Sequence, residues 1–162
     1  MRKIYGMIFL LFVAVSCSDD DGSEMAEQVV VQGNDEVATQ TLNLINNHRG
    51  SQTLASLTWN DEIAELALEH SANMASGQEE FGHNGFDDRI DRLAVTISFS
   101  GSAENVAFNE GADDPAAVAV DSWLNSPGHL ANIEGDYDLT GIGVAEGSDG
   151  SFYFTQIFLR SN

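Results

Sequence analysis

Three side chains stand where the sequence around them does not ask for them. In "SWLNSPGHLANI", residues 122–133, His129 follows a proline and a glycine between two helical runs. Pro127 disfavours helical geometry at Ser126, so the preceding helix ends there, and Ser126 with Pro127 supplies an N-cap and first position for a new short helix. His129 then falls in a first turn, whose positive end opposes protonation. The neutral imidazole so favoured can ligate a metal or accept a proton. The plainer reading is a histidine hydrogen-bonded into a corner of the fold. His83 lies in the glycine-rich "FGHNGF", and Glu104 interrupts the small, apolar "SAENVAF". A carboxylate there needs a partner. It is either a structural acid held by backbone amides or an arginine such as Arg89, or a ligand or base facing the histidines. The spacings match no zinc motif, so they do not bring the three together.

The elements that must carry these residues are legible from periodicity and caps. Ala38, Leu42, Ile45 and Arg49 form one stripe of a helix that starts near Asp35 and stops at Gly50. A second helix follows Asn60 as N-cap, with Asp61 and Glu62 in its first turn, Ile63, Leu66, Ala67, His70 and Met74 on one face, and Gly77 at its close. A short helix is expected over Asp87 to Leu93 and a short extended piece at "SAENVAF". A third long helix is capped by Asp114 with Pro115 in its first position. Leu139 to Glu146 and Phe152 to Leu159 flank a glycine, serine and aspartate turn, the pattern of a hairpin. Both strands are apolar on both faces. The reading is therefore α+β, a three-layer α–β–α sandwich around a central antiparallel sheet. His70 is read as a core or groove-wall residue, His48 as a local hydrogen-bonding group, and Trp59, Trp123, Phe154 and Phe158 as core.

The chain has 162 residues, enough for one domain. It opens on Arg2 and Lys3, an apolar run too short to span a bilayer comfortably, and small residues before Cys17, the single cysteine. "AVSC" resembles the lipobox at which bacterial lipoproteins are cut and acylated. Residues 1–16 are read as a lipoprotein signal peptide, 17–34 as an acidic flexible tether, and 35–162 as the folded domain. With Cys17 used for lipidation, the core must hold by packing. The 26 acidic residues against six basic ones, a net charge of −20, exclude nucleic acid as a partner and suit an exported protein.

"GHNGFDDRI", "AENVAF", "SWLNSPGHLANI" and "FYFTQIF" occur in the order and approximate spacing of the CAP superfamily of cysteine-rich secretory, pathogenesis-related and venom allergen proteins. The chain most resembles its bacterial extracellular branch. The resemblance implies an α–β–α sandwich with a central groove lined by two histidines and two glutamates. His83 and Glu104 match one of each. Ser126 stands where the second glutamate would be and Tyr153 where the second histidine would be, while His129 belongs to the bacterial branch's own motif. On this reading His83, Glu104, His129, Tyr153 and Ser126 share one groove, and the two imidazoles with Glu104 could hold zinc with an open position.

Two functions follow. The first is a lipid-anchored binding or interaction module that takes a small ligand, peptide or ion in the groove without turnover. The alternative is a metal-dependent hydrolase using His83, Glu104 and His129, with Tyr153 steadying an oxyanion. No serine or cysteine nucleophile has an obvious base, which places the binding module first. "SDDD" after Cys17 resembles the export signals of bacterial surface lipoproteins, so the expected location is the cell envelope, at the outer membrane or cell surface.

Overall fold

The computed structural model describes residues 34–162. Cys17, the signal segment and nearly all of the tether lie outside the described residues. Helix α1, Asp35–Ser51, begins where the Asn34 side chain accepts from the Val37 N–H at 3.2 Å. Strand β1, Thr58–Trp59, leads into α2, Asp61–Ala75, which is capped by Asn60 accepting from the Ile63 N–H at 3.0 Å. Next come α3, Phe86–Leu93, and the long strand β2, Phe99–Glu110. Helix α4, Pro115–Leu124, starts at Asp114, whose carboxylate accepts from the Ala117 N–H at 3.0 Å. Then follow α5, Pro127–Ile133, and the hairpin β3, Leu139–Glu146, with β4, Ser151–Ser161. Each of these caps satisfies a donor that the first helical turn leaves free. Ser126 does hold the N-cap position of α5, but its hydroxyl makes no capping bond.

The sheet order is β1-β3-β4-β2, with the three long strands antiparallel and the two-residue β1 added parallel to β3. Alternation along β4 divides the core. Phe154 and Phe158 join Trp123, Val120, Ala38 and Ile45 of α4 and α1 on one face, whereas Ile157 and Leu159 join Ile63, Leu66 and Ala67 of α2 and Leu93 of α3 on the other. The three-layer α–β–α sandwich is thus the observed architecture. Helix α2 lies unusually close to β3. A Cβ added at Gly143 would sit 2.0 Å from the Leu68 backbone nitrogen, and one at Gly141 would sit 2.1 Å from that of Ala64. Only glycine permits that approach.

Buried Arg49 ties the two ends of the outer layer together. Its guanidinium donates to the carbonyls of Ala55, Ile133, Gly135 and Tyr137 at 2.6–3.2 Å. His48 pairs with Glu134 at the end of α5 at 2.9 Å, so it bridges distant segments rather than its own turn. Trp59 is only half-buried, whereas Trp123, Phe154 and Phe158 are fully buried. No helix among the described residues is long and apolar enough to cross a membrane.

Candidate functional site: an imidazole-lined cavity at the edge of the sheet

Strand β2 is an edge strand, and its outward main-chain carbonyls are not left bare. The Asn132 side chain of α5 donates to the Glu104 carbonyl at 3.2 Å, and the Trp123 indole of α4 donates to the Val106 carbonyl at 2.9 Å. Asn105 completes the join, donating to the His129 carbonyl at 3.2 Å and accepting from Asn132 at 2.8 Å. These bonds blunt the edge and also dock α5 beside it. His129 is thereby brought to one side of the strand. From the other side comes the loop after α2, held by buried His70, whose ring bonds Glu79 at 2.9 Å and the Gly82 carbonyl at 2.8 Å. Gly82 directly precedes His83.

The two imidazoles meet in one cavity of about 420 Å³. Its walls are Phe81, Gly82 and His83 from the loop, Val106, Ala107 and Phe108 from β2, Ser122 from α4 and His129 from α5. Because successive strand residues point to opposite faces, a cavity touching Val106, Ala107 and Phe108 wraps around the edge. Phe81 and Phe108 are 54% and 45% exposed, so the cavity has a bare aromatic rim. Tyr153 stands opposite Phe108 in the β2–β4 register, with ring centroids 5.0 Å apart, and Phe108 in turn lies 6.3 Å from Phe81. Tyr153 therefore backs the rim and does not line the cavity. Ser126 does not line it either, and Ser122, a turn earlier, does.

Glu104 is held away from the cavity. Its carboxylate, 2% exposed, receives Arg89 Nη2 at 2.7 and 3.0 Å and Arg89 Nε at 3.1 Å. Arg89 is itself buried and is fastened at its far end to the Asn84 carbonyl at 2.8 Å. The remaining contact of Glu104 is with His83 Nδ1 at 2.9 Å. A carboxylate oxygen only accepts, so Nδ1–H donates, and in the neutral ring Nε2 is left as an acceptor. Glu104 thus acts as a positioning residue for His83. His129 Nδ1 is buried without a hydrogen-bond partner among the described residues. Its pKa is lowered from the ordinary histidine value, first by burial and second by the charge on His83. The expected neutral form is therefore favoured by desolvation and a like charge; α5 has only seven residues.

The zinc reading of His83, Glu104 and His129 does not fit this geometry. Among the described residues no group of three or more His, Cys, Asp or Glu side chains is placed to hold a metal ion. The reason is Arg89, whose guanidinium occupies the lone pairs that a metal would need and puts a fixed positive charge beside them. Two imidazoles alone fall short of the three protein ligands of an open zinc site. Glu104 is equally unavailable as a general base. The arrangement can accept a hydrogen bond at His83 Nε2, present neutral His129 beside it, and cover an apolar edge with Phe81, Val106 and Phe108. Phe108 and Ser122 were missed in the sequence, although Phe108 lies four residues after Glu104 on the same strand face and so was reachable by alternation.

Comparison with known proteins agrees with the fold. Residues 42–158 match the cysteine-rich secretory protein family, CAP. An uncharacterized membrane protein of Bacillus subtilis, YlbC, is 37% identical over 125 residues, which covers 75% of this chain and 34% of that protein. An extracellular protein containing an SCP domain from Bacillus anthracis superposes with a TM-score of 0.63 at 29% identity, over 78% of this chain and 41% of its own. The chain thus spans well under half the length of these two relatives. An outer surface protein of Borrelia burgdorferi superposes with a TM-score of 0.66 over 82% of this chain and 99% of its own, at 22% identity, which bears on the fold alone. With most of the chain matched by the family and the sandwich observed, this protein belongs to the CAP family of cysteine-rich secretory proteins.

Proposed function

We propose that the chain is a cell-surface binding module, anchored by lipid at Cys17, in which the cavity between His83 and His129 takes a small ligand without turnover. The observation that carries this reading is the commitment of Glu104 to Arg89. It removes the one carboxylate that could serve as base or third ligand, and leaves an aromatic rim with two imidazoles. That lining suits a ligand with an apolar ring edge and a hydrogen-bond donor for His83 Nε2. The surface location is supported by relatives named as extracellular and membrane proteins.

Phenol and anisole, which differ in the donor, are suitable probes. Phenol should shift the ring resonances of His83 and His129 in NMR spectra, anisole should bind several-fold more weakly, and Phe108→Ala should weaken both. If neither probe perturbs the imidazoles, the reading fails. Zinc is the counter-test: a melting temperature raised by zinc in the wild type, but in neither His83→Ala nor His129→Ala, would restore the metal-dependent alternative.

A further inference from the structure

The imidazole cavity is apolar at its rim and acidic just outside it. Phe81 and Phe108 stand about half exposed on two sides, and Val118, 46% exposed, continues the rim along α4, one turn before the lining residue Ser122. A single exposed apolar side chain is ordinary, but several around one cavity point to a surface that binds. Glu80 directly precedes Phe81, and Glu110 follows Phe108 by two residues, on the same face of β2. His83, besides lining the cavity, borders an adjoining hollow together with Asp87. Glu80, Asp87 and Glu110 are all exposed, whereas no carboxylate is among the lining residues of the cavity itself. No arginine of the described residues is left to answer them. Arg49 and Arg89 are buried, and Arg92 and Arg160 pair with Glu69 and Asp136. The other two basic residues of the sequence, Arg2 and Lys3, precede Cys17 and lie outside the described residues.

We infer that the occupant of the cavity is a tyrosine side chain carried by a basic segment of a partner polypeptide. This rests on the reading that the cavity takes an apolar ring with a hydrogen-bond donor, and names the molecule that carries the ring. The tyrosine hydroxyl donates to His83 Nε2, the ring lies against Phe81 and Phe108, and lysine or arginine side chains on either side of the tyrosine meet Glu80, Asp87 and Glu110. Other occupants answer only part of the surface. A free phenol fills the cavity and makes no use of the surrounding carboxylates. A lysine or arginine put into the cavity would meet no free carboxylate there, because Glu104 is committed to Arg89. A tyrosine on an acidic segment would be repelled by a chain of net charge −20. A tyrosine flanked by basic residues suits both the cavity and what surrounds it.

The test is an NMR titration of the full chain with phenol and with three capped peptides, Lys-Lys-Tyr-Lys-Lys, Lys-Lys-Phe-Lys-Lys and Glu-Glu-Tyr-Glu-Glu. The basic tyrosine peptide should shift the ring resonances of His83 and His129 and bind at least about tenfold more tightly than phenol, with a margin that shrinks as salt is added. The phenylalanine peptide lacks the donor and should bind about fivefold more weakly than its tyrosine counterpart. The acidic peptide should bind at least about tenfold more weakly at low salt. Glu80→Lys, Asp87→Lys and Glu110→Lys, combined in one variant, should weaken the basic tyrosine peptide by about tenfold. Phenol should still shift the two rings of that variant, which also shows that it is folded. If phenol shifts the rings but the basic and acidic peptides bind equally, the cavity takes a small ring alone and the inference of a basic partner is overturned. Equal binding of the tyrosine and phenylalanine peptides would overturn it too, by reducing it to attraction between surface charges. If phenol moves neither ring, the reading of the cavity itself fails and this inference with it.

Discussion

Replacing Glu104 with glutamine keeps the side chain's shape and removes its charge, which isolates what the carboxylate does. In the native protein it receives three close contacts from Arg89, and the two side chains are 2% and 8% exposed. Glutamine can accept from Arg89 through one oxygen only. Its amide N–H₂ would either face the guanidinium's own donors or turn toward His83 Nδ1–H, another donor. The buried arginine is then left partly unpaired. Breaking a buried ion pair from one side costs about 3–5 kcal/mol. For a domain of this size each kcal/mol moves the melting temperature by roughly 3–5 °C, so a fall of about 10–20 °C is expected. Urea unfolding should show a lower midpoint with an unchanged slope. Adding Arg89→Met to a Glu104→Leu background removes both charges and should recover all but about 1–2 kcal/mol, because two apolar groups leave no buried charge behind. His83→Ala should cost less than about 1 kcal/mol, since that side chain is 52% exposed and its contact with Glu104 is screened by water. A loss below about 1 kcal/mol for Glu104→Gln would refute the reasoning. The carboxylate would then be solvated and free to serve the cavity, and the case against a base or metal ligand at Glu104 would fall with it.

Three further outcomes are expected. The lowered pKa of His129, caused first by burial and then by His83, means that the unfolded chain takes up a proton which the folded one resists. Stability should therefore fall as pH drops below the unfolded value of about 6.5 and level off once pH is below the folded value. His83→Ala should raise the His129 pKa measured by NMR, and a lowered or unchanged value would exclude repulsion between the rings. Gly143→Ala would push a methyl group to 2.0 Å from the Leu68 backbone, which cannot swing aside. It should cost about 3 kcal/mol or more in urea unfolding, the upper end of overpacking penalties, and a near-neutral result would mean that α2 lies farther from β3. Cys17→Ser should move the protein from the membrane fraction to the soluble one, and retention with unchanged processing would exclude the lipid anchor.

What could be read in the sequence, and what could not, divides by the range of the interactions involved. Asn60 and Asp114 announce their helices because each caps a donor three residues away, whereas Asn34, which caps α1 in the same way, was not singled out. Strand β2 is the counter-example. It extends over Phe99–Glu110 although Gly101, Ser102, Asn105 and Asn109 are weak strand formers, because its pairing with β4 decides the matter. The two-residue β1 has no periodicity to detect and exists through its contact with β3.

The same division explains the candidate site. His83 and Glu104 stood out as polar residues in unlikely settings, and either of two partners for Glu104 was open from the sequence. Which one wins is a matter of geometry, since α3 places the planar fork of Arg89 against both carboxylate oxygens and leaves only a side contact to His83. That single ion pair turns a potential metal ligand into a brace for a histidine. The histidines then meet because α5 is docked on the edge of β2 by Asn105, Asn132 and the Glu104 carbonyl, three groups far apart in sequence from the loop that carries His83. One residue therefore organises both sides of the cavity, with its carboxylate orienting His83 and its main-chain carbonyl seating the helix of His129. Substitutions that spare the backbone should loosen the first histidine and leave the second in place.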